Sequence, residues 1–328
     1  MKIIAVPMPY GDSFVVEYED RKGEKHVVVL DMGTMQSYMA VGRNILSQYD
    51  KLDLCVLSHI HDDHIGGALK YIDDVTGGLD VPCVMQWWFN ANRVVNGADE
   101  CDRSNKISVR HANKISRFLS IHCDEESWIN SIQMGGVYEL AGLTIRVLSP
   151  IFAHTYDGLP IMEEDITTIP MAVQKDDYNT KVFEFDINAF NEDDNENNKQ
   201  SIALLMENGV KRFLWMADAH PSVVCEALRR LGYNEQNPLE CEYMTLSHHG
   251  SKKNTNLELL SLVKCKNYIV TGNGMNIYGL PDKETLAKVI VSKGENVKIF
   301  TTQMSLPLSH VFDVDNRYRI EERTIYYI

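Results

Sequence analysis

The chain has 328 residues, 44% of them hydrophobic, and a formal charge of −14 at pH 7. It carries enough apolar material for a substantial core, yet no run of about eighteen apolar residues, so no transmembrane helix is expected. The acidity disfavours loose, salt-driven binding along a nucleic-acid backbone, which needs a basic surface.

Alternating and apolar runs predict strands over 2–7, 13–18 and 26–30, then a helix over 37–49 and a strand over 52–57. The opening segment is strand-like and lacks the apolar region of a signal peptide. A second helix is expected after residue 64, a strand over 81–88, a helix over 103–122 and a strand over 144–148. Residues 157–196, above all 186–198, are rich in carboxylates and asparagine and read as a solvated insertion at about 151–200. The second half predicts strands over 201–206, 212–216, 242–246, 268–270, 297–301 and 324–328. Helices are expected over 221–231, 257–263 and 282–292, with Pro221 suited to a first turn. Two strand-rich halves with covering helices predict an α/β protein, two sheets packed face to face between helical layers, in one domain spanning 1–328. The seven cysteines, Cys55, Cys83, Cys101, Cys123, Cys225, Cys241 and Cys265, include no Cys-x-x-Cys pair. An odd, scattered set reads as reduced thiols in a cytoplasmic protein, mostly filling the core.

The most informative stretch is His59-Ile60-His61-Asp62-Asp63-His64-Ile65-Gly66-Gly67, placed where a buried strand should end. Imidazole nitrogen and carboxylate oxygen together suit zinc, with manganese as the alternative. On a strand-to-helix turn His59 and His61 can point to one side, while Asp63 and His64 face a second point nearby. One hexapeptide can thus serve two adjacent cations, as two-metal hydrolases require. Gly66 and Gly67 let the backbone pass close to the cluster.

Further pieces are Gly11-Asp12-Ser13, Asp31 ending an apolar run before Gly33, Asn198-x-x-Ser201, Phe213 to Asp218, His248-His249-Gly250-Ser251, and Gly274 to Pro281. With the histidine cluster they resemble the metallo-β-lactamase fold superfamily, most closely the metallohydrolase domain of competence (DNA-uptake) proteins. The resemblance implies a four-layer αββα sandwich with the metal site at one edge of the sheets. It implies His59 and His61 on a first metal, Asp63 and His64 on a second, and Asp218 bridging both; an ordinary capping role before Pro221 is the alternative for Asp218. Asp31 would orient the ligand loop. Neighbours on an extended segment point opposite ways, so one of His248 and His249, not both, would complete the first metal's set, with His248 slightly favoured. His249 would then contact substrate or hydrogen-bond, so Asp63, Asp31 and His249 are the residues assigned catalytic roles. The competence-type pattern ends in Tyr-Gly-His-Pro, but Leu280 stands at the histidine position. The second metal would then complete its shell with water, recruit His220, or be absent. His154 lies roughly where other branches carry a third histidine, but its spacing from Pro150 is wrong. Ser251 reads as a turn residue, and Trp87, Trp88 and Phe89 as core before cleft.

The expected chemistry is hydrolysis by a metal-bound hydroxide, on a phosphodiester of nucleic acid or nucleotide by resemblance, with ester, thioester and lactam open. His61 stands where redox members of the superfamily carry Glu, which disfavours oxygen chemistry. The contrasting reading is a non-catalytic metal-binding module that meets a protein partner in a larger assembly.

Overall fold

The structure, a computed structural model, describes residues 1–93, 107–153, 176–276, 278–294 and 296–328. Strand Lys25–Leu30 shows why the sheets must be covered twice. Val27 and Val29 point to one face, Val28 and Leu30 to the other, and all four are buried.

Among the described residues, seven strands form the first sheet, in the order Ile325–Tyr327, Lys2–Ala5, Phe14–Glu19, Lys25–Leu30, Leu54–Val56, Trp87–Trp88, Trp128–Ile129. Pairing is antiparallel as far as Lys25–Leu30 and parallel beyond it. Eight described strands form the second, in the order Val137–Leu140, Leu143–Ser149, Ala203–Asn208, Lys211–Trp215, Tyr243–Thr245, Asn267–Val270, Lys298–Thr301, Ile320–Glu322. Here pairing turns from antiparallel to parallel at Lys211–Trp215.

Val28, Leu30, Val56 and Trp88 of the first sheet pack directly on Leu204, Phe213, Trp215 and Ile269 of the second. The outer face of the first is covered by helices Asp62–Thr76 and Ile107–His122 through Ile65, Leu69, Ile115 and Leu119. Helices Pro221–Arg230, Leu257–Leu262 and Lys283–Lys293 cover the second through Val224, Leu228, Leu259 and Leu286. The layer order is αββα, as the resemblance implies.

Several elements differ from the sequence pattern. The strand expected over 52–57 is cut at Asp53, whose carboxylate accepts the Val27 amide at 2.8 Å. Lys51–Leu52 pairs with Cys83–Val84 in a separate ladder, and only Leu54–Val56 joins the main sheet. The helix expected over 37–49 runs over 35–46 and widens to a π turn at Tyr38–Gly42. Of the helix expected over 103–122, Ile107–His122 is helical and 103–106 lie outside the described residues. Trp87, Trp88 and Phe89 are at most 2% exposed, so the aromatic run is core. The reading of 186–198 as solvated is overturned at its end. Asp193, Asn195, Asn197 and Asn198 are buried, because Asn195 caps the short helix Glu196–Lys199 and Asn198 Nδ2 donates to Asp193 Oδ2 at 2.7 Å. Residues 154–175 of the insertion, His154 among them, lie outside the described residues.

Candidate metal centre

Both strands at which pairing changes direction end at the same place. Asp31 follows Lys25–Leu30 and His59 follows its parallel neighbour; Asp218 follows Lys211–Trp215, and His248 follows its parallel neighbour. In open α/β sheets the carboxyl ends of strands beside such a switch form a natural crevice.

The histidine cluster is held from below by Asp31. This residue has φ of 53°, a left-handed conformation that Asp tolerates better than most side chains. Its Oδ1 accepts the Ser58 amide at 2.7 Å, and its Oδ2 accepts Ser58 Oγ and His64 Nδ1, each at 2.7 Å. Burial pushes the Asp31 carboxyl up to about 6, against the pull of His64. The chain then enters helix Asp62–Thr76, with Asp62 and Asp63 in the first turn, where the helix dipole favours negative charge. The helix lies hard against residues 32–35. A Cβ on Gly67 would sit 2.0 Å from Met32 O, and one on Gly66 2.9 Å from Met35 N.

Asp218 stands between two groups of ligand-type atoms. Its Oδ2 is 3.6 Å from His59 Nε2 and 3.8 Å from His248 Nε2. Its Oδ1 is 3.3 Å from His64 Nε2 and 4.0 Å from His249 Nε2. Ligand atoms of His59, His61 and Asp218 lie within 4.8 Å of one another, as do those of Asp63, His64 and His249. Asp63 Oδ2 is 2.9 Å from His249 Nε2 and 3.7 Å from His64 Nε2.

The rings of His59, His64, His248 and His249 are held at Nδ1, which turns Nε2 toward the centre. His59 Nδ1 meets Ser201 Oγ at 2.9 Å and Ser58 Oγ at 3.0 Å. His248 Nδ1 donates to Asn254 Oδ1 at 3.1 Å, with Asp193 Oδ2 at 3.5 Å. His249 Nδ1 meets Thr271 Oγ1 at 2.9 Å, with Asp12 Oδ1 at 3.6 Å. His59 Nε2, His64 Nε2 and Asp218 Oδ1 are buried and make no hydrogen bond. Buried polar atoms are rarely left without partners, so three such atoms converging on one space are the donor set a divalent cation needs. The residues fit the metal that the resemblance implies.

Charge in the centre is tightly coupled. Burial opposes ionisation, but His64 and the other imidazoles hold Asp63 and Asp218 below the usual carboxylate range. In return, Asp218 and Asp63 outweigh burial and push His64 up, and His249 up to about 10. Burial instead pushes His59 down. The two carboxylates demand nearby positive charge, which either protons on the rings or cations between them can provide.

Two expectations change. His248 and His249 are not on an extended segment: their φ values are 51° and 54°, within a left-handed turn. They still diverge, His248 toward the Oδ2 side of Asp218 and His249 toward the Oδ1 side, beside Asp63 and His64. His220 joins neither group; its Nε2 is 3.8 Å from Asp193 Oδ2. Leu280 is buried, and its backbone is tied to Asn276, whose Oδ1 accepts its amide at 3.0 Å and whose Nδ2 donates to its carbonyl at 2.9 Å. Ser251 is a turn residue, its Oγ accepting the Lys253 amide at 3.3 Å. Sequence reasoning did not assign Ser58, Ser201, Asn254, Thr271 or Asp193 as partners of the rings. Ser201 was marked by the Asn198-x-x-Ser201 spacing, whereas Thr271 and Asp193 carry no local signal.

No protein-family model matches the chain, and no curated protein matches it. Among solved structures it is similar to the metallo-β-lactamase fold protein YhfI from Bacillus subtilis, at 10% identity over 99% of both chains with a TM-score of 0.46. It is also similar to Zn2+-bound PqqB from Methylobacterium extorquens, at 11% identity over 93% of this chain and 99% of that one, TM-score 0.47. A diphosphatase from the PhnP family is similar at 11% identity over 100% of this chain and 97% of the other, TM-score 0.40. The layer order stands on the chain's own packing.

Proposed function

We propose that the chain is a metal-dependent hydrolase with two divalent cations, zinc or manganese. His59, His61 and His248 would hold the first, Asp63, His64 and His249 the second, and Asp218 would bridge them. The supporting observation is the division of Asp218, with Oδ2 facing His59 and His248 and Oδ1 facing His64 and His249. On this reading His249 supplies what Leu280 cannot, and the second site needs neither His220 nor an added water to reach four protein ligands. Bound cations supply Lewis acidity and lower the pKa of water to about 7, which makes a protein nucleophile unnecessary.

The chain's own residues supply geometry. Asp31 and Ser58 fix His64, Ser201 fixes His59, Asn254 fixes His248 and Thr271 fixes His249, so the donor atoms need little rearrangement. A phosphodiester of nucleic acid or nucleotide is the substrate class we favour, from the competence-type motifs. An acidic chain can still meet such a substrate, because the cations would provide the local positive charge.

Assays on bis(p-nitrophenyl) phosphate, single-stranded DNA and a thioester, with zinc or manganese added, test this reading. Phosphodiester cleavage that falls at least about 100-fold in a folded His61→Ala variant is expected. Thioester cleavage alone would move the substrate class to acyl transfer. Inactivity on every substrate with both metals would overturn the enzyme reading in favour of a metal-stabilised binding module.

A further inference from the structure

At the opposite end of the parallel strands Tyr243–Thr245 and Asn267–Val270 from the candidate centre, two cysteines are brought together by strand register. The short strands Leu239–Glu240 and Val263–Lys264 are parallel, with Leu239 opposite Val263 and Glu240 opposite Lys264. The next positions on each chain are Cys241 and Cys265, and the Cys241 amide donates to Lys264 O at 3.2 Å, which carries the ladder on to this pair. Neighbouring strands lie about 4.8 Å apart, within the Cα separations of about 4.4–6.8 Å that a disulfide spans. Both side chains sit in one apolar cluster, 8% and 4% exposed. The Cys265 thiol donates to Asn267 O at 3.2 Å.

We propose that Cys241 and Cys265 are a redox-active pair that closes to a reversible disulfide under peroxide. One sulfur, as thiolate, attacks the peroxide O–O bond, becomes a sulfenic acid and releases water once the departing oxygen is protonated. The second sulfur attacks the first, forms the S–S bond and expels a second water. Two thiols lose two electrons, and one peroxide gains them. The ammonium of Lys293, which donates to Val263 O at 2.6 Å, favours the Cys241 thiolate against the effect of burial. Cys265 and burial together hold the Cys241 thiol well above its ordinary range.

The bond would tie together the segments that lead into Tyr243–Thr245 and Asn267–Val270. These neighbouring strands deliver His248 and His249, and Thr271, to the metal centre. The cysteines are 24 positions apart in the chain, a loop long enough for the link to restrict the unfolded state appreciably.

The test is treatment of the intact, folded protein with millimolar hydrogen peroxide, then alkylation and peptide mapping without reductant. Cys83, an exposed thiol, reports that the oxidant has acted. We expect one peptide pair joined through Cys241 and Cys265, reversed by dithiothreitol, and a Tm raised by about 5 °C. Cys241→Ser and Cys265→Ser should each abolish both changes. Oxidised Cys83 alongside free thiols at 241 and 265 overturns the proposal, as does pairing of either with another cysteine. A link that leaves Tm unchanged overturns the tie between the strands.

Discussion

At the scale of residues, the decisive pair is His248 and His249. A left-handed turn sends adjacent side chains to opposite oxygens of one carboxylate, so on the proposed reading neighbours in sequence would serve different cations. His249→Ala should lower the bound zinc from about two ions per chain to about one, and weaken the second ion at least about 100-fold. His248→Ala should leave the Asp63, His64 and His249 set occupied. Elemental analysis after gel filtration, with circular dichroism to confirm folding, checks both; loss of both ions from His249→Ala would mean that the groups behave as one site. The imidazoles and carboxylates of this centre were legible in sequence because ligand chemistry admits few residue types at such close spacing. The partition between His248 and His249 was not, because it depends on φ values that the residue types do not announce.

At the scale of elements, the ligand loop is braced by its neighbours. Helix Asp62–Thr76 is joined to the helical segment before it by Asp74, which is 2.6 Å from Arg43 Nη2 and 2.8 Å from Lys70 Nζ. Burial raises the Asp74 carboxyl, but Lys70 and Arg43 together outweigh it and hold the group below its usual range. Because the folded pKa lies below the unfolded one, this pairing contributes stability above about pH 4, and loses it as pH falls through the folded value. Asp74→Asn should cost about 1–2 kcal/mol at pH 7. The gap in Tm between wild type and variant should close on acidification toward pH 2–3; a gap that is constant with pH would assign the loss to packing instead. The helix itself was readable from its apolar spacing. Its bond to Arg43 was not, because the two residues are 31 positions apart and nothing local links them.

At the scale of the whole molecule, the centre exists only because two sheets close on each other. Asp31 and His59 follow strands of the first sheet, with His64 on the helix after it, and Asp218, His248 and His249 follow strands of the second, so a cation bound between them would join both halves. Ions that bind only the folded state stabilise it by mass action, by about 2.7 kcal/mol at a free concentration 100 times Kd. Removing metal with a chelator should therefore lower Tm by about 5 °C or more, and added zinc should restore it. An unchanged Tm, read by calorimetry with and without chelator, would argue that no cation spans the two sheets.

The sequence by itself determined the α/β class, the two apolar layers and the cluster of ligand-type side chains at residues 59–64, since periodicity and residue chemistry are local properties. Short strands such as Trp128–Ile129, two residues long, escaped it, because pairing partners rather than propensity make them strands. Only the tertiary structure decided that Asp193 of an acidic insertion lies beside His248 and that Thr271 supports His249. Those relations join residues 22 to 55 positions apart, and the energy that orders them comes from burial between layers.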